Sequence, residues 1–421
     1  MPNTTLASKQ LKSSTFPWEN VDDPLSLLDS LQGQPRWAWI DSDEAVVAWG
    51  RMAAIQGANL EGQLAQVEAT FPGEEIRLFG GLPFDATSKA DSIWGGFAIP
   101  NFILPGCIYR QTTQRRDLTI IHPASIIPQI PSPSCGNNAA SLLGARLERL
   151  LSYPQWEAMV NAARQQAAAG QLQKVVLARA LKVTFEHEPS LVTAFAHLVA
   201  RYPGTYRFYF EPSPGHVFLG ATPELLLQVQ GKQLDTIALA GSAPRGSTPE
   251  EDRSLGADLL ACPKNRREQA IVVERICDDL KPLCESFQFL KAPRLRQLPN
   301  IQHLETPITA RLKRPGILTP AEALHPTPAL AGQPRQVALA MLRQYEPVTR
   351  GAYGAPIGWV TPDGDGRLAV AIRSGIFCGR VGRLYAGSGI LAESQPDKEW
   401  EETALKFRPM LEALGLCEDA V

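Results

Sequence analysis

The spacing of hydrophobic and polar positions changes several times along this chain, and each change predicts an element. Short apolar and aromatic runs at 37–40, 45–49, 76–81 and 93–99, separated by glycine, proline and acidic residues, predict strands. They make half of a sheet. From 141 to 169 the spacing becomes helical, with Pro154 opening a second helix and Gly170 closing it. It returns to a period of two at 173–185, where Lys174, Val176 and Ala178 share one face and Val175, Leu177 and Arg179 the other. A helix capped by Ser190 and a run of strands at 206–212, 216–229 and 233–246 follow, joined by short turns that argue for an antiparallel sheet rather than a doubly wound one. Helices restart at Thr248 and Pro263. Segments 298–308 and 324–332 read as irregular, proline-containing loops of the kind that line sites. Strands at 356–360, 367–377 and 383–391 then lead into a last helix, capped by Ser394 and running from about Gln395 to Ala413.

Composition narrows the class. With 421 residues, 44% hydrophobic and 20% charged, the chain can bury a large core. Residues 1–20 read as a polar tail without the apolar region of a signal peptide, 21–140 as an N-terminal part of the sheet framework ending in a flexible stretch at 127–140, and 141–421 as the region that carries the chemistry. A net charge of −2 provides no general field for nucleic acid or an anionic membrane, so any anion must be held locally. Seven cysteines without a C-x-x-C pair suggest neither zinc nor a disulfide framework, and the odd count points to a reducing, cytoplasmic setting. No apolar run reaches the roughly 18 residues of a membrane span.

Several charged residues sit where charge is costly. In the last helix Trp400, Ala404, Phe407, Leu411 and Leu414 fall on one side and Glu399, Glu402 and Lys406 on another. That charged face is either a solvated Glu402–Lys406 pair or a site for a cation and an anion, served by the glycine turn at 386–389. Glu268 shares a stripe with Val272, Ile276, Leu280 and Leu283, so it needs a cation, or a partner such as Arg266 or Arg267. Lys174 either reaches solvent at the strand entrance or turns inward, where desolvation favours a neutral amine that can act as a base. Glu224, after a proline at the mouth of an apolar strand, is either a solvated strand-end carboxylate or a desolvated acid able to donate a proton. The turn around Gly241 offers N–H groups to an anion, and Arg373 follows four apolar residues in a strand, a setting for gripping a carboxylate. His303 and His325 are either hydrogen-bonded structural histidines or site residues.

Taken in order, KVVLAR, GATPELLL, LAGSAPRG, KNRREQAIVV, QHL, LHPTPALAG, GAPIGW, AIRSG, YAGSGI and KEWEETALK resemble the chorismate-utilising enzymes, and among them most the isochorismate synthases. The resemblance covers about 172–414, while the N-terminal third matches only diffusely through WGGFAI. It implies an α+β fold: one large domain of two antiparallel sheets with helices packed outside. It also implies conversion of chorismate to isochorismate, feeding quinone, siderophore or salicylate synthesis. Lys174 would be the general base that activates water and Glu224 the acid that protonates the departing hydroxyl. Glu268 and Glu402 would hold Mg²⁺, with Glu399 supporting bound waters. Arg373, Lys406 and the backbone at Gly387 and Ser388 would hold the enolpyruvyl carboxylate, and Gly241, Ser242, His303, Ala329 and Leu330 would shape the ring pocket. The family often has histidine where this chain has Gln269, which bears on a contact behind the metal ligand.

Relatives on the same fold set the alternatives. Anthranilate and aminodeoxychorismate synthases use ammonia and tend to carry glutamine at the position of Lys174, so the lysine argues for water and against an amidotransferase subunit; the resemblance implies a monomer. Salicylate synthases share the lysine and go on to eliminate pyruvate; LHPTPALAG favours stopping at isochorismate, whereas Tyr353 beside that pocket fits either outcome. A non-catalytic metal-binding relative would have lost Lys174, Glu224 or a metal glutamate, and all are present.

Overall fold

Strand Arg36–Ile40 reads RWAWI and is buried along its whole length because its two faces serve two different cores. Trp37 and Trp39 join the core between the sheets, while Ala38 and Ile40 join a second core with side chains of helices Leu191–Arg201 and Pro396–Ala413. Each tryptophan buries on the order of 200 Å², about 5 kcal/mol of transfer free energy. A strand covered on both faces shows no alternation of polar and apolar residues, and the neighbouring strand Ala45–Trp49 follows the same rule.

The computed structural model describes residues 11–19, 21, 23–125, 144–290 and 292–416. Within them lie two antiparallel sheets of twelve and ten strands with helices packed outside, the α+β arrangement expected. The larger sheet runs from Leu11–Pro17 through four more N-terminal strands to Tyr206–Ser213, His216–Thr222, Ser374–Cys378, Val381–Ile390, Lys174–Phe185 and the short Gly332–Gln333. The smaller runs from Cys284–Phe289 through Ile301–Leu312, Gln233–Pro244, Leu225–Gln230, Gly366–Val370 and Pro356–Val360 to three N-terminal strands. Across the gap, Phe79 of the smaller sheet meets Phe210 of the larger edge to face at 6.3 Å. The N-terminal third is therefore built into both sheets.

Two segments expected to be single strands pass from one sheet to the other. After Thr222 the chain leaves the larger sheet at Pro223 and Glu224 and enters the smaller as Leu225–Gln230. After Val370 it returns, through residues 371–373, as Ser374–Cys378. Pro223 has no N–H to give a ladder, and Arg373 turns with a left-handed φ of 52°, a conformation that costs a side-chain-bearing residue on the order of 1 kcal/mol. The crossings are bonded together by Val370 N–H to Glu224 C=O (2.9 Å) and Ala221 N–H to Arg373 C=O (3.2 Å).

Other expectations are corrected. Leu11–Pro17, assigned to the tail, is a strand paired with Arg116–Pro123. Residues 92–97 form 3₁₀ turns rather than a strand, broken by a kink at Gly95, which takes the non-helical φ 44°, with Trp94 buried. Helices Pro24–Ser30 and Leu60–Thr70 had no reading in the sequence. Ala145–Arg149, expected to be helical, pairs with the Lys174 strand, and the helix begins at Tyr153. Segment 298–308 is mostly strand: Ile301–Leu312 pairs along its length with Gln233–Pro244. Gln395, not Ser394, is the N-cap of the last helix; the Ser394 hydroxyl accepts from Leu391 N–H at 3.1 Å instead. The proposed connection at 127–140 lies outside the described residues.

Candidate active site

The two crossings bring Glu224 and Arg373 to one cavity, whose lining also includes Lys174, Gly241, Ser242, Glu268, His303, Ala329, Leu330, Tyr353, Ile372, Gly387, Gly389, Glu402 and Lys406. Of the residues singled out, Ser388, Glu399 and His325 are the ones that do not line it.

Lys174 is 1% exposed, which rules out the solvent-facing reading. Its Nζ lies 2.8 Å from Glu268 Oε1. Glu268 thus pairs with neither Arg266 nor Arg267, the latter reaching Glu393 at 3.5 Å. A Cβ on Gly389 would stand 2.5 Å from Glu268 Oε1 and 2.8 Å from Lys174 Cε, so the pair fits only because that strand position is bare. Behind Glu268, buried Gln269 fastens the helix to the smaller sheet, its amide donating to Ala238 C=O (2.9 Å) and Thr306 Oγ1 (3.1 Å).

Glu224 is buried, and its carboxyl has no hydrogen-bond partner among the described residues. Burial pushes its pKa up to about 8, against the opposing pull of Lys174, Arg373 and Lys406. It is mostly a neutral acid at pH 7. Roomier clefts lie elsewhere, one beside Arg343 and one beside Arg77, and there Asp85 pairs with Arg343 at 2.6 Å and Glu44 with Arg77 at 2.5 Å.

Glu402 accepts from Lys406 at 2.5 Å, and although burial pushes it up, Lys406 together with Lys264 holds it below the usual carboxylate range. Lys406 also donates to Gly387 C=O at 2.9 Å, so this turn presents a carbonyl as well as amides. The Ser388 side chain points the other way, since side chains alternate along a strand, and its hydroxyl donates to Glu399 Oε2 at 2.6 Å, which leaves its backbone as the part on offer at the turn. The other oxygen of Glu399 takes Lys264 at 2.7 Å. Both oxygens are therefore engaged behind the cavity, and Glu399 braces the helix rather than facing a ligand.

At the inner end, Gly241 bulges from its strand with φ 76°, and Ser242 Oγ lies 3.0 Å from His303 Nδ1. Burial, with Arg373 and Lys406 close by, holds His303 well below the ordinary imidazole value. Burial also lowers Arg373, whose Nη2 is 3.4 Å from His303 Nε2. Tyr353, stacked on Tyr385 at 5.0 Å, is pushed up to about 12 by burial. His325 bonds Pro83 and Phe84 carbonyls at 3.1 Å, and burial brings it down to about 4. It is structural.

Sequence reasoning missed two cations. Lys264 stands one helical turn before Glu268, a spacing that could have placed it. Arg350 ties Leu330 C=O and Val176 C=O (both 2.6 Å) to Glu346, fixing the loop that carries Leu330 against the Lys174 strand. No sequence periodicity marks it, because it lies in a loop.

The described residues contain no cluster of three histidine, cysteine, aspartate or glutamate side chains that could hold a metal. Two carboxylates, Glu268 and Glu402, do face the same cavity. That donor set fits Mg²⁺, which binds through one or two carboxylates together with water and substrate oxygens.

Residues 3–415 match the family described as chorismate binding enzyme, a span that takes in the N-terminal third as well. The chain is 35% identical to the isochorismate synthase MenF of Bacillus subtilis, over 80% of this chain and 74% of that protein. It is 34% identical to the salicylate biosynthesis isochorismate synthase of Pseudomonas aeruginosa, over 93% of this chain and 88% of that one. The structure of MenF, the menaquinone-specific isochorismate synthase of Escherichia coli, superposes with a TM-score of 0.82 at 27% identity, covering 96% of this chain and 94% of that chain. Anthranilate synthase component I of Streptococcus pneumoniae, at 20% identity and a TM-score of 0.74, shares the fold. The chain belongs to the chorismate-binding enzyme family, as an enzyme of the isochorismate synthase type.

Proposed function

We propose that the protein converts chorismate to isochorismate reversibly and with Mg²⁺, adding water at C2 and releasing the C4 hydroxyl. The observation that carries this reading is the pairing of a buried lysine and a neutral buried carboxylic acid on one cavity. Lys174 Nζ takes the proton of the attacking water, and Glu224 gives its proton to the departing hydroxyl; the reverse reaction exchanges these roles. Arg373 and Lys406 receive the carboxylate of the enolpyruvyl group, while Leu330 and Ala329 bound the ring and exclude bulk water. Glu268 and Glu402 would hold Mg²⁺, which when bound neutralises substrate carboxylate charge and draws electron density from the ring. A lysine at position 174 supports water rather than ammonia as nucleophile. The enzyme is proposed to act as a cytoplasmic monomer without an amidotransferase subunit. Among the described residues no helix is long and apolar enough to cross a membrane.

Purified protein incubated with chorismate and Mg²⁺, with products separated by chromatography, tests the reading. Isochorismate is the expected product, approached from either side, and EDTA stops the reaction until Mg²⁺ is restored. Stoichiometric pyruvate and fluorescent salicylate would move the chain to the salicylate synthases. Full activity in chelator would reduce Glu268 and Glu402 to partners of their lysines.

A further inference from the structure

The hydrogen bonds at the inner end of the cavity have a direction. A guanidinium carries donors only, so the 3.4 Å contact from Arg373 Nη2 obliges His303 Nε2 to accept. His303 is 5% exposed and held neutral by burial and by the neighbouring cations, which leaves its single proton on Nδ1. The opposite tautomer would set Nε2–H against an arginine N–H, two donors facing each other at 3.4 Å. The single ring N–H then has Ser242 Oγ, 3.0 Å from Nδ1, and the Gly241 carbonyl as acceptors, and with a proton on Nδ1 the serine cannot donate to the ring. A serine oxygen that accepts from the ring turns its own hydrogen away from it. Ser242 lines the cavity and has no other hydrogen-bond partner among the described residues.

We propose that Arg373 fixes His303 as its Nδ1-protonated tautomer and thereby makes Ser242 a hydrogen-bond donor into the cavity, so that the site selects a substrate oxygen that accepts there. His303 is on this account a positioning residue, acting through Ser242. The consequence is one of polarity. Ser242, Arg373 and Lys406 all donate, so the group bound against them is a carboxylate or another oxygen with free lone pairs, and a donor group in its place is rejected. The inference rests on the chorismate reading for the identity of the substrate, whereas the tautomer is a property of the free protein.

The free protein therefore provides the first test. With ¹⁵N-labelled histidine, long-range ¹H–¹⁵N correlations separate the two neutral tautomers, and among the six histidines the His303 signals are those lost in His303→Asn. The expected pattern at pH 7 is protonated Nδ1 and bare Nε2, relaxing toward a mixture in Arg373→Met. Protonated Nε2 in the wild type would overturn the proposal, and so would a tautomer indifferent to Arg373→Met. Kinetics supply a second reading. Ser242→Ala should raise KM for chorismate about tenfold or more with a much smaller change in kcat, as expected for loss of a hydrogen bond to a charged group. His303→Asn, whose amide N–H falls near the Nδ1 position, should retain more activity than His303→Gln. A KM for Ser242→Ala within twofold of wild type, or Gln outperforming Asn, contradicts the relay. Should the wild type bind Nδ1–H as expected yet leave chorismate untouched, the functional reading fails and the relay stands.

Discussion

Glu224 and Glu402 face one cavity, and their surroundings drive their acidities apart. Glu224 sits at a sheet crossing without a hydrogen-bond donor, and burial raises it to about 8; Glu402 meets Lys406 at 2.5 Å and stays ionised. The same type of side chain thus becomes a proton donor at one position and a lasting negative charge at another. What separates them is backbone placement. Glu224 is carried on a chain that leaves its sheet, where no neighbouring side chain reaches the carboxyl, while Glu402 rides a helix with a lysine four residues on.

Removing the base should break the contrast most severely. Lys174→Ala is expected to lower kcat by about 10²- to 10⁴-fold, the usual worth of a positioned general base, with the fold retained by circular dichroism. Turnover within tenfold of wild type would take Lys174 out of the chemistry. Glu224→Gln should cost about as much, and it carries a second signature. Wild-type activity should fall as pH rises through about 8, where Glu224 loses its proton, and that limb should vanish in the variant.

Stability gives the opposite sign at the same residue. Because the folded pKa lies above the ordinary carboxyl value of 4.5, the unfolded chain loses its proton first, and the wild type becomes less stable between about pH 4.5 and 8. Melting temperatures should therefore favour Glu224→Gln at pH 8 and converge with wild type at pH 4. Equal melting temperatures at pH 8 would mean that Glu224 is not desolvated.

Gly389→Ala probes the base from the steric side. A methyl group 2.5 Å from Glu268 Oε1 forces the Lys174–Glu268 pair apart, and kcat should drop about tenfold to a hundredfold. At Gly387 the same substitution meets nothing nearer than 3.2 Å and should be milder, so equal losses in the two variants would contradict the assignment. Lys264→Met should have the smallest effect. It frees one oxygen of Glu399 and loosens one helix against the other, raising the Mg²⁺ needed for half-maximal rate by a few fold. An unchanged Mg²⁺ requirement would leave Lys264 a purely structural cation.

Much of the site was legible because charge in an apolar setting is conspicuous: Glu268 on its stripe, Lys174 among valines, Arg373 after four apolar residues. The helical spacing also exposed Glu402 and Lys406. Where those residues meet was not legible, because the two sheet crossings carry almost no local signal. Residues 216–229 and 367–377 have the apolar continuity of unbroken strands, with only Pro223 to hint at a break. That the Ser388 hydroxyl faces away was legible too, since a period of two puts this side chain opposite Gly387 and Gly389. In the N-terminal third, strands buried on both faces hide their period, and the helices Pro24–Ser30 and Leu60–Thr70 are short and weakly patterned.

The central claim is that water delivered by Lys174 replaces a hydroxyl expelled through Glu224. Running the reaction on chorismate in H₂¹⁸O and locating the label by mass spectrometry and ¹³C shifts tests it most directly. Isochorismate carrying one ¹⁸O at C2, and chorismate slowly gaining ¹⁸O at C4 as equilibrium is approached, is the predicted result. Isochorismate free of label, its hydroxyl having migrated within the molecule, would contradict the account.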